Sequence, residues 1–102
     1  QLASVTSSGE ATIVHALASS AHAADGTVDD YYIGASDTAT EGVWVWSSGE
    51  AFGYDNWRDG EPNNGSGGDP ENCAIVEGDT ATQTWDDRRC NVAATYGFIC
   101  ER

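Results

Sequence analysis

The spacing of apolar residues changes once along this chain, from a helical repeat to short strand-like runs, and the change falls near Gly26. Residues 1–5 read as a short extended segment. Ser7-Ser8-Gly9-Glu10 then offers a helix start, with Ser7 as N-cap and Glu10 three residues on to complete a capping box. Ile13, Leu17 and the alanines around them recur at helical spacing until Asp25-Gly26 stops the run. Beyond it the predicted strands are Tyr31-Tyr32-Ile33-Gly34, Gly42-Val43-Trp44-Val45-Trp46, Cys73-Ala74-Ile75-Val76, residues 82–85 and Tyr96-Gly97-Phe98-Ile99-Cys100. Ser47-Ser48-Gly49 carries turn chemistry, and Phe52-Gly53-Tyr54 with Asn56-Trp57 closes the first half of this region. One helix followed by many short strands is an α+β pattern, and no internal repeat is visible.

Residues 59–71 interrupt the strand runs. They hold Gly60, Gly65, Gly67, Gly68, Pro62 and Pro70 and almost nothing apolar. Such a segment buries too little to order itself, and a bound cation would supply the missing order. Oxygen-bearing side chains fall at three stations in and after it: Glu61-Pro62-Asn63, Glu71-Asn72-Cys73 and Trp85-Asp86-Asp87. That arrangement suits a divalent cation whose open coordination positions could also hold a polyol. The bland alternative for Glu61, Glu71, Asp86 and Asp87 is a solvated acidic loop, which leaves unexplained why they fall in order with the two cysteine stations, Cys73 and Cys90.

Charge narrows the choice of partner. The 102 residues contain four basic residues, all arginine, against 17 Asp plus Glu, for a net charge of −13. Nucleic acid and anionic membrane are poor partners for such a field, whereas calcium is drawn to it. Adaptation to salty surroundings would explain the overall charge equally well, but not the placement of the acids. The length fits one domain with a real core and little to spare. Four Trp, four Tyr and two Phe supply large buried area, and the tryptophans read as core rather than as sugar-stacking platforms. No apolar run is long enough to span a bilayer, and no signal-peptide pattern follows Gln1. His15 and His22 lie seven apart and share a helix face, where they read as half-wet residues rather than metal ligands.

The three cysteines leave one over. Cys73 and Cys90 enclose 16 residues, and a bond between them would contribute roughly 3 kcal/mol in the loop-entropy account. Cys100 is then left to a partner outside the chain or to an intermolecular bond.

Taken in order, these residues resemble a C-type lectin-like domain. The resemblance runs through Leu2-Ala3-Ser4-Val5, the helix, Tyr32-Ile33-Gly34-Ala35, Asp37-Thr38-Ala39-Thr40-Glu41-Gly42 and Trp44-Val45-Trp46. It continues with Tyr54-Asp55-Asn56-Trp57, the three acidic stations, Cys90 and Tyr96-Gly97-Phe98-Ile99-Cys100-Glu101. It implies a Cys73–Cys90 disulfide, and a principal Ca²⁺ held by Glu61, Asn63, Glu71, Asp86 and Asp87, with the Asp87 carbonyl as a further ligand. Glu61, Asn63, Glu71 and Asp86 would also meet two vicinal sugar hydroxyls, each donating to a carboxylate and accepting from an amide. By the same resemblance Pro62 follows a cis peptide bond, and the Glu-Pro-Asn order goes with mannose, glucose, N-acetylglucosamine or fucose. A second Ca²⁺ would lie at Asp37, Glu41, Asn64, Glu71 and Asn72.

Two departures from the family pattern carry expectations of their own. The family's first strand and first helix, which carry the cysteine that bonds the last one, are expected just before Gln1, so residues 1–102 are read as a domain lacking them. Asp86 stands where the family most often has Asn, which removes an amide donor and should shift or weaken the sugar preference.

Calcium-dependent carbohydrate binding is therefore the leading function, with glycans of a cell surface or extracellular polysaccharide as partners and an adhesin module as one setting. A lectin-like domain that binds protein or ice is the runner-up. A glycosidase comes last, because it needs one carboxyl kept protonated in an apolar pocket, and these acids sit in a polar loop. The domain is expected to be non-enzymatic and extracellular, in keeping with its disulfide. Asn64-Gly65-Ser66 matches the glycosylation acceptor pattern and is expected to be unmodified, since a glycan there would obstruct the site.

Overall fold

A computed structural model of the protein describes residues 2–63, 70–79, 83–90 and 96–100. Among them are one helix, α1 (Ser8–Ala24), and five strands: β1 (Asp30–Ser36), β2 (Val45–Trp46), β3 (Cys73–Glu77), β4 (Trp85–Arg88) and β5 (Gly97–Phe98). The expected α+β class is what the chain adopts.

Helix α1 begins as the sequence indicates, with one difference. Ser7 Oγ accepts from Glu10 N at 3.2 Å. Glu10 does not close the box on Ser7; it reaches one residue further back, accepting from Thr6 N at 2.8 Å and Thr6 Oγ1 at 2.6 Å. The same acceptor-poor end is satisfied by a slightly different pairing. The buried face also differs from the apolar spacing. Ala11, Val14 and Ala18 face the core, while Ile13 and Leu17 are 62% and 50% exposed. Close approach selects the small residues: a Cβ at Gly78, just past β3, would lie 2.5 Å from the Ala18 carbonyl oxygen. Larger side chains at Ala11 or Ala18 would hold the helix off the sheet.

The sheet runs β2-β1-β3-β4, with β5 parallel to β1 along the edge it shares with β2. β1 and β3 are antiparallel from Asp30↔Glu77 to Tyr32↔Ile75, then shift register before Ser36↔Cys73. β3 and β4 pair in an unbroken ladder, Cys73↔Arg88, Ala74↔Asp87, Ile75↔Asp86 and Val76↔Trp85. Strand boundaries correct the sequence reading: β5 keeps only Gly97–Phe98 of the predicted 96–100 run, and β3 extends one residue further, to Glu77. β1 is longer than predicted, β2 keeps only the last two residues of its run, and β4 starts at Trp85, where a strand over 82–85 was predicted to end. The acidic pair Asp86-Asp87 hid β4, because buried carboxylates do not read as strand.

Trp85 is fully buried at the centre of an aromatic cluster. Its ring centroid lies 5.6 Å from Trp46, 5.6 Å from Trp57, 6.1 Å from Tyr54 and 6.4 Å from Phe52, all in edge-to-face contact. Trp44 packs edge-on to Trp57 at 4.7 Å. The tryptophans are thus core and core margin, as expected.

Candidate functional site

The long polar segment is fixed at its start by the core. Trp85 N donates to Asn56 O at 2.8 Å and Arg58 N donates to Trp85 O at 2.9 Å, so residues 56–58 run beside the first residue of β4. Asn56 Nδ2 donates to Gln83 O at 2.9 Å and reinforces this seam. A tight turn follows, closed by Glu61 N donating to Arg58 O at 2.9 Å, with Gly60 at φ +86°, a conformation open to glycine at little cost. The turn delivers Glu61 beside Asp86 and Asp87 on β4. The Glu61–Pro62 peptide is cis, as expected.

Carboxylate oxygens of Glu61, Asp86 and Asp87 all lie within 4.8 Å of one another. Asn63 joins them: its N donates to Asp87 Oδ1 at 3.2 Å and its Nδ2 to Glu61 Oε2 at 3.3 Å. Glu61 Oε1 is buried and has no hydrogen-bond donor among the described residues. Its neighbours there are the Asp86 and Asp87 carboxylates, which can pair with it only through a shared proton. Burial, those contacts and the two negative charges push the Glu61 carboxyl up to about 7. Burial also raises Glu71, with Asp87 and Asp86 adding to it, which brings the fourth acid into the same field. A buried acceptor such as Glu61 Oε1, crowded by carboxylates and without a donor among the described residues, calls for a proton or a cation. This donor set, all oxygen and mostly carboxylate, fits a hard divalent ion such as Ca²⁺.

Asp86 is engaged differently from the rest. Asp86 Oδ2 lies 2.6 Å from Arg58 Nη2 and also accepts from Arg88 Nη1, while Asp86 Oδ1 accepts from Asp87 N at 2.8 Å. Burial opposes its ionised form, but the Arg88 hydrogen bond and charge outweigh burial and hold its carboxyl below the ordinary range. Arg58 Nη1 extends the network to Glu77 Oε1 at 2.6 Å. Neither arginine figured among the sequence candidates. The available signal was their place: two of only four basic residues stand three before Glu61 and two after Asp86.

The second expected set is partly gathered. Asp37 is buried, accepts from Gly42 N through Oδ2 at 2.9 Å, and its own N donates to Asn72 O at 3.1 Å. With the Asn72 amide oriented to satisfy both neighbours, its nitrogen donates to Asp37 Oδ1 at 3.0 Å and Glu41 Oε1 at 3.3 Å. Contact with Asp37 raises the Glu41 carboxyl. Asn64 and the Asn64-Gly65-Ser66 acceptor pattern lie outside the described residues.

Cys73 and Cys90 form a disulfide with Cα atoms 5.2 Å apart, tying the start of β3 to the residues after β4. Cys100 is an exposed free thiol. No helix among the described residues is long and apolar enough to cross a membrane.

Fold and acidic cluster together define a sheet-based binding module with an oxygen-lined loop site. The family model for the Lectin C-type domain matches residues 1–102, and the chain belongs to the C-type lectin family. Domains of this family bind carbohydrate and are not enzymes. The chain is 40% identical over 73 residues to the low affinity immunoglobulin epsilon Fc receptor of Mus musculus, covering 72% of this chain and 20% of that protein. It is 40% identical over 70 residues to the mannose-binding protein of Gallus gallus, covering 69% and 25%. The solved carbohydrate-recognition domain of cow CD23, determined in the presence of a GlcNAc2Man3 oligosaccharide, superposes with a TM-score of 0.70 at 29% identity. That match covers 88% of this chain and 60% of that one. The chain spans about half or less of the curated relatives it matches, from 20% to 48%.

Proposed function

We propose that this domain binds glycans through Ca²⁺ held by Glu61, Asn63, Glu71, Asp86 and Asp87, and that the ion's open positions take a vicinal diol of a mannose-, glucose-, N-acetylglucosamine- or fucose-type sugar. The observation that carries this reading is the convergence of the Glu61, Asp86 and Asp87 carboxylates within 4.8 Å, with Glu61 Oε1 buried and lacking a donor. Bound calcium would supply the charge that these acceptors lack and would polarise two sugar hydroxyls. Glu61 and Asn63 would orient the sugar, the first accepting and the second donating, from opposite ends of the Pro62 turn. The relative named for mannose binding and the neighbour solved with a mannose-containing oligosaccharide support the same sugar class.

Asp37, Glu41 and Asn72, with Asn64 and Glu71, are proposed as a lower-affinity second calcium site, supported by the contacts already joining the first three. We place the domain outside the cell, where a Cys73–Cys90 disulfide persists. The groove lined by Ala3, Ile13, Leu17, Ile99 and Cys100 supports the further reading that a segment outside residues 1–102, carrying a cysteine, packs there. A glycan array read with calcium and with chelator, on wild type and D86N, tests the proposal. Calcium-dependent binding whose sugar ranking shifts in D86N is expected; equal signals in chelator, or no glycan bound, would refute it.

A further inference from the structure

Two guanidinium groups converge on one oxygen of the candidate site. Arg58 Nη2 lies 2.6 Å from Asp86 Oδ2, Arg88 Nη1 donates to the same atom, and Arg88 Nη1 also donates to Asp87 O at 3.1 Å. Asp86 Oδ1 accepts from Asp87 N at 2.8 Å. A carboxylate offers about four lone-pair sites; these bonds take three of them at Asp86, and the Glu61 carboxyl makes a further contact with it. The Asp87 carbonyl, itself a candidate ligand, has given one of its two lone pairs to Arg88. The anion is buried while its cations reach the surface: side-chain exposure is 3% for Asp86, 27% for Arg88 and 43% for Arg58.

We propose that Arg58 and Arg88 are the internal counter-ions of the cation site, and that Arg88 must release Asp86 Oδ2 and the Asp87 carbonyl when calcium binds. This rests on the calcium-binding reading above. Three carboxylates within 4.8 Å repel one another in the metal-free domain, and the two arginines offset part of that charge. With a divalent ion in the same shell, a guanidinium bonded to two of its ligands becomes a like charge at short range and an obstruction. Among the described residues Arg88 has no ion pair with a carboxylate other than Asp86; its further partners are the Tyr96 side chain and the more distant Asp30 charge, and its side chain is partly exposed. Arg58 is held also by Glu77 Oε1 at 2.6 Å and by the backbone seam to Trp85, so it stays. Arg88 thus stabilises the metal-free domain and weakens its hold on calcium, whereas a neutral residue there would do the reverse.

The test compares wild type, R88Q and R89Q, stripped of metal, by calorimetric titration with calcium chloride at physiological salt and by melting in chelator. R88Q should bind calcium about tenfold tighter yet melt at a lower temperature without it. R89Q removes the same charge one residue away, and its affinity should change by about threefold or less, given screening. In wild type, the Arg88 Nε–H resonance should shift at calcium saturation while that of Arg58 holds, a readout independent of whether R88Q folds. R88Q affinity equal to or weaker than wild type, an equal gain in R89Q, or an unmoved Arg88 signal would each overturn the counter-ion role while leaving calcium binding intact. Absence of calcium binding in both wild type and R88Q would instead refute the underlying reading and this inference with it.

Discussion

Glu61 makes the calcium-free domain less stable as pH rises through neutrality. Its carboxyl is pushed from the ordinary 4.5 up to about 7, first by burial and then by the Asp87 and Asp86 carboxylates. Native protein therefore holds a proton there that unfolded protein has lost, and stability falls as pH increases between about 4.5 and 7. At about 1.4 kcal/mol for each factor of ten in proton affinity, the full effect is on the order of 3 kcal/mol. The Glu61 side chain is only 12% exposed, so solvent screening reduces this little. Glu71 and Glu41 are shifted the same way. Asp86 is shifted oppositely, so its contribution is lost only below the ordinary Asp range, outside this window. Glu61→Gln keeps the shape and removes the ionisation. In chelator at pH 8 it should melt about 10 °C or more above wild type, and the gap should close towards pH 5. With calcium the ranking should invert, because the ion takes the proton's place in wild type and lacks a carboxylate in the variant. Melting curves followed by circular dichroism from pH 5 to 8, with and without calcium, measure all of this. A wild-type profile in chelator that is flat, or that E61Q merely lowers in parallel, would refute the reasoning.

Other consequences follow from the packing. Trp85→Ala empties the fully buried centre of the aromatic cluster and should cost about 3–5 kcal/mol in urea denaturation; a cost below about 1 kcal/mol would mean the cluster does not hold β4. Replacing Cys73 and Cys90 together by Ser should cost roughly 3 kcal/mol and weaken calcium binding, since the bond secures the end of the β3–β4 ladder that carries Asp87; unchanged calorimetric affinity would contradict the second part. Gly78→Ala places a Cβ 2.5 Å from Ala18 O and 2.8 Å from Tyr31 Cε1, and should cost about 1–3 kcal/mol as α1 is pushed outward. An unaltered denaturation midpoint would show that the helix is not seated so closely.

Much of this protein was legible in its sequence because short-range rules act there without competition. The N-cap at Ser7, the stop at Asp25-Gly26 and the β3 run Cys73-Ala74-Ile75-Val76 appear where local preference puts them. The misreadings arise where tertiary contact overrides that preference. Apolar spacing picks Ile13 and Leu17, but the sheet admits only Ala11, Val14 and Ala18, because backbone must approach backbone at Gly78. Asp86 and Asp87 disguise β4, since their burial is sustained by arginines and by crowding that no single segment encodes. Within the candidate site, Glu61, Asn63, Asp86 and Asp87 were readable from motif order, and the structure brings them into contact. Arg58 and Arg88 were not, because counting charge says how much is present and only the fold says which carboxylate it meets.

The central claim is that Glu61 and its neighbours hold a calcium ion that in turn holds a sugar. Passage of the metal-free domain over immobilised mannose, with calcium and then with chelator, tests it most directly, with E61Q as the comparison. The account predicts retention of wild type in calcium, release by chelator and no retention of E61Q. Flow-through of wild type in calcium on mannose, glucose, N-acetylglucosamine and fucose columns alike, or retention that persists in chelator, would contradict it.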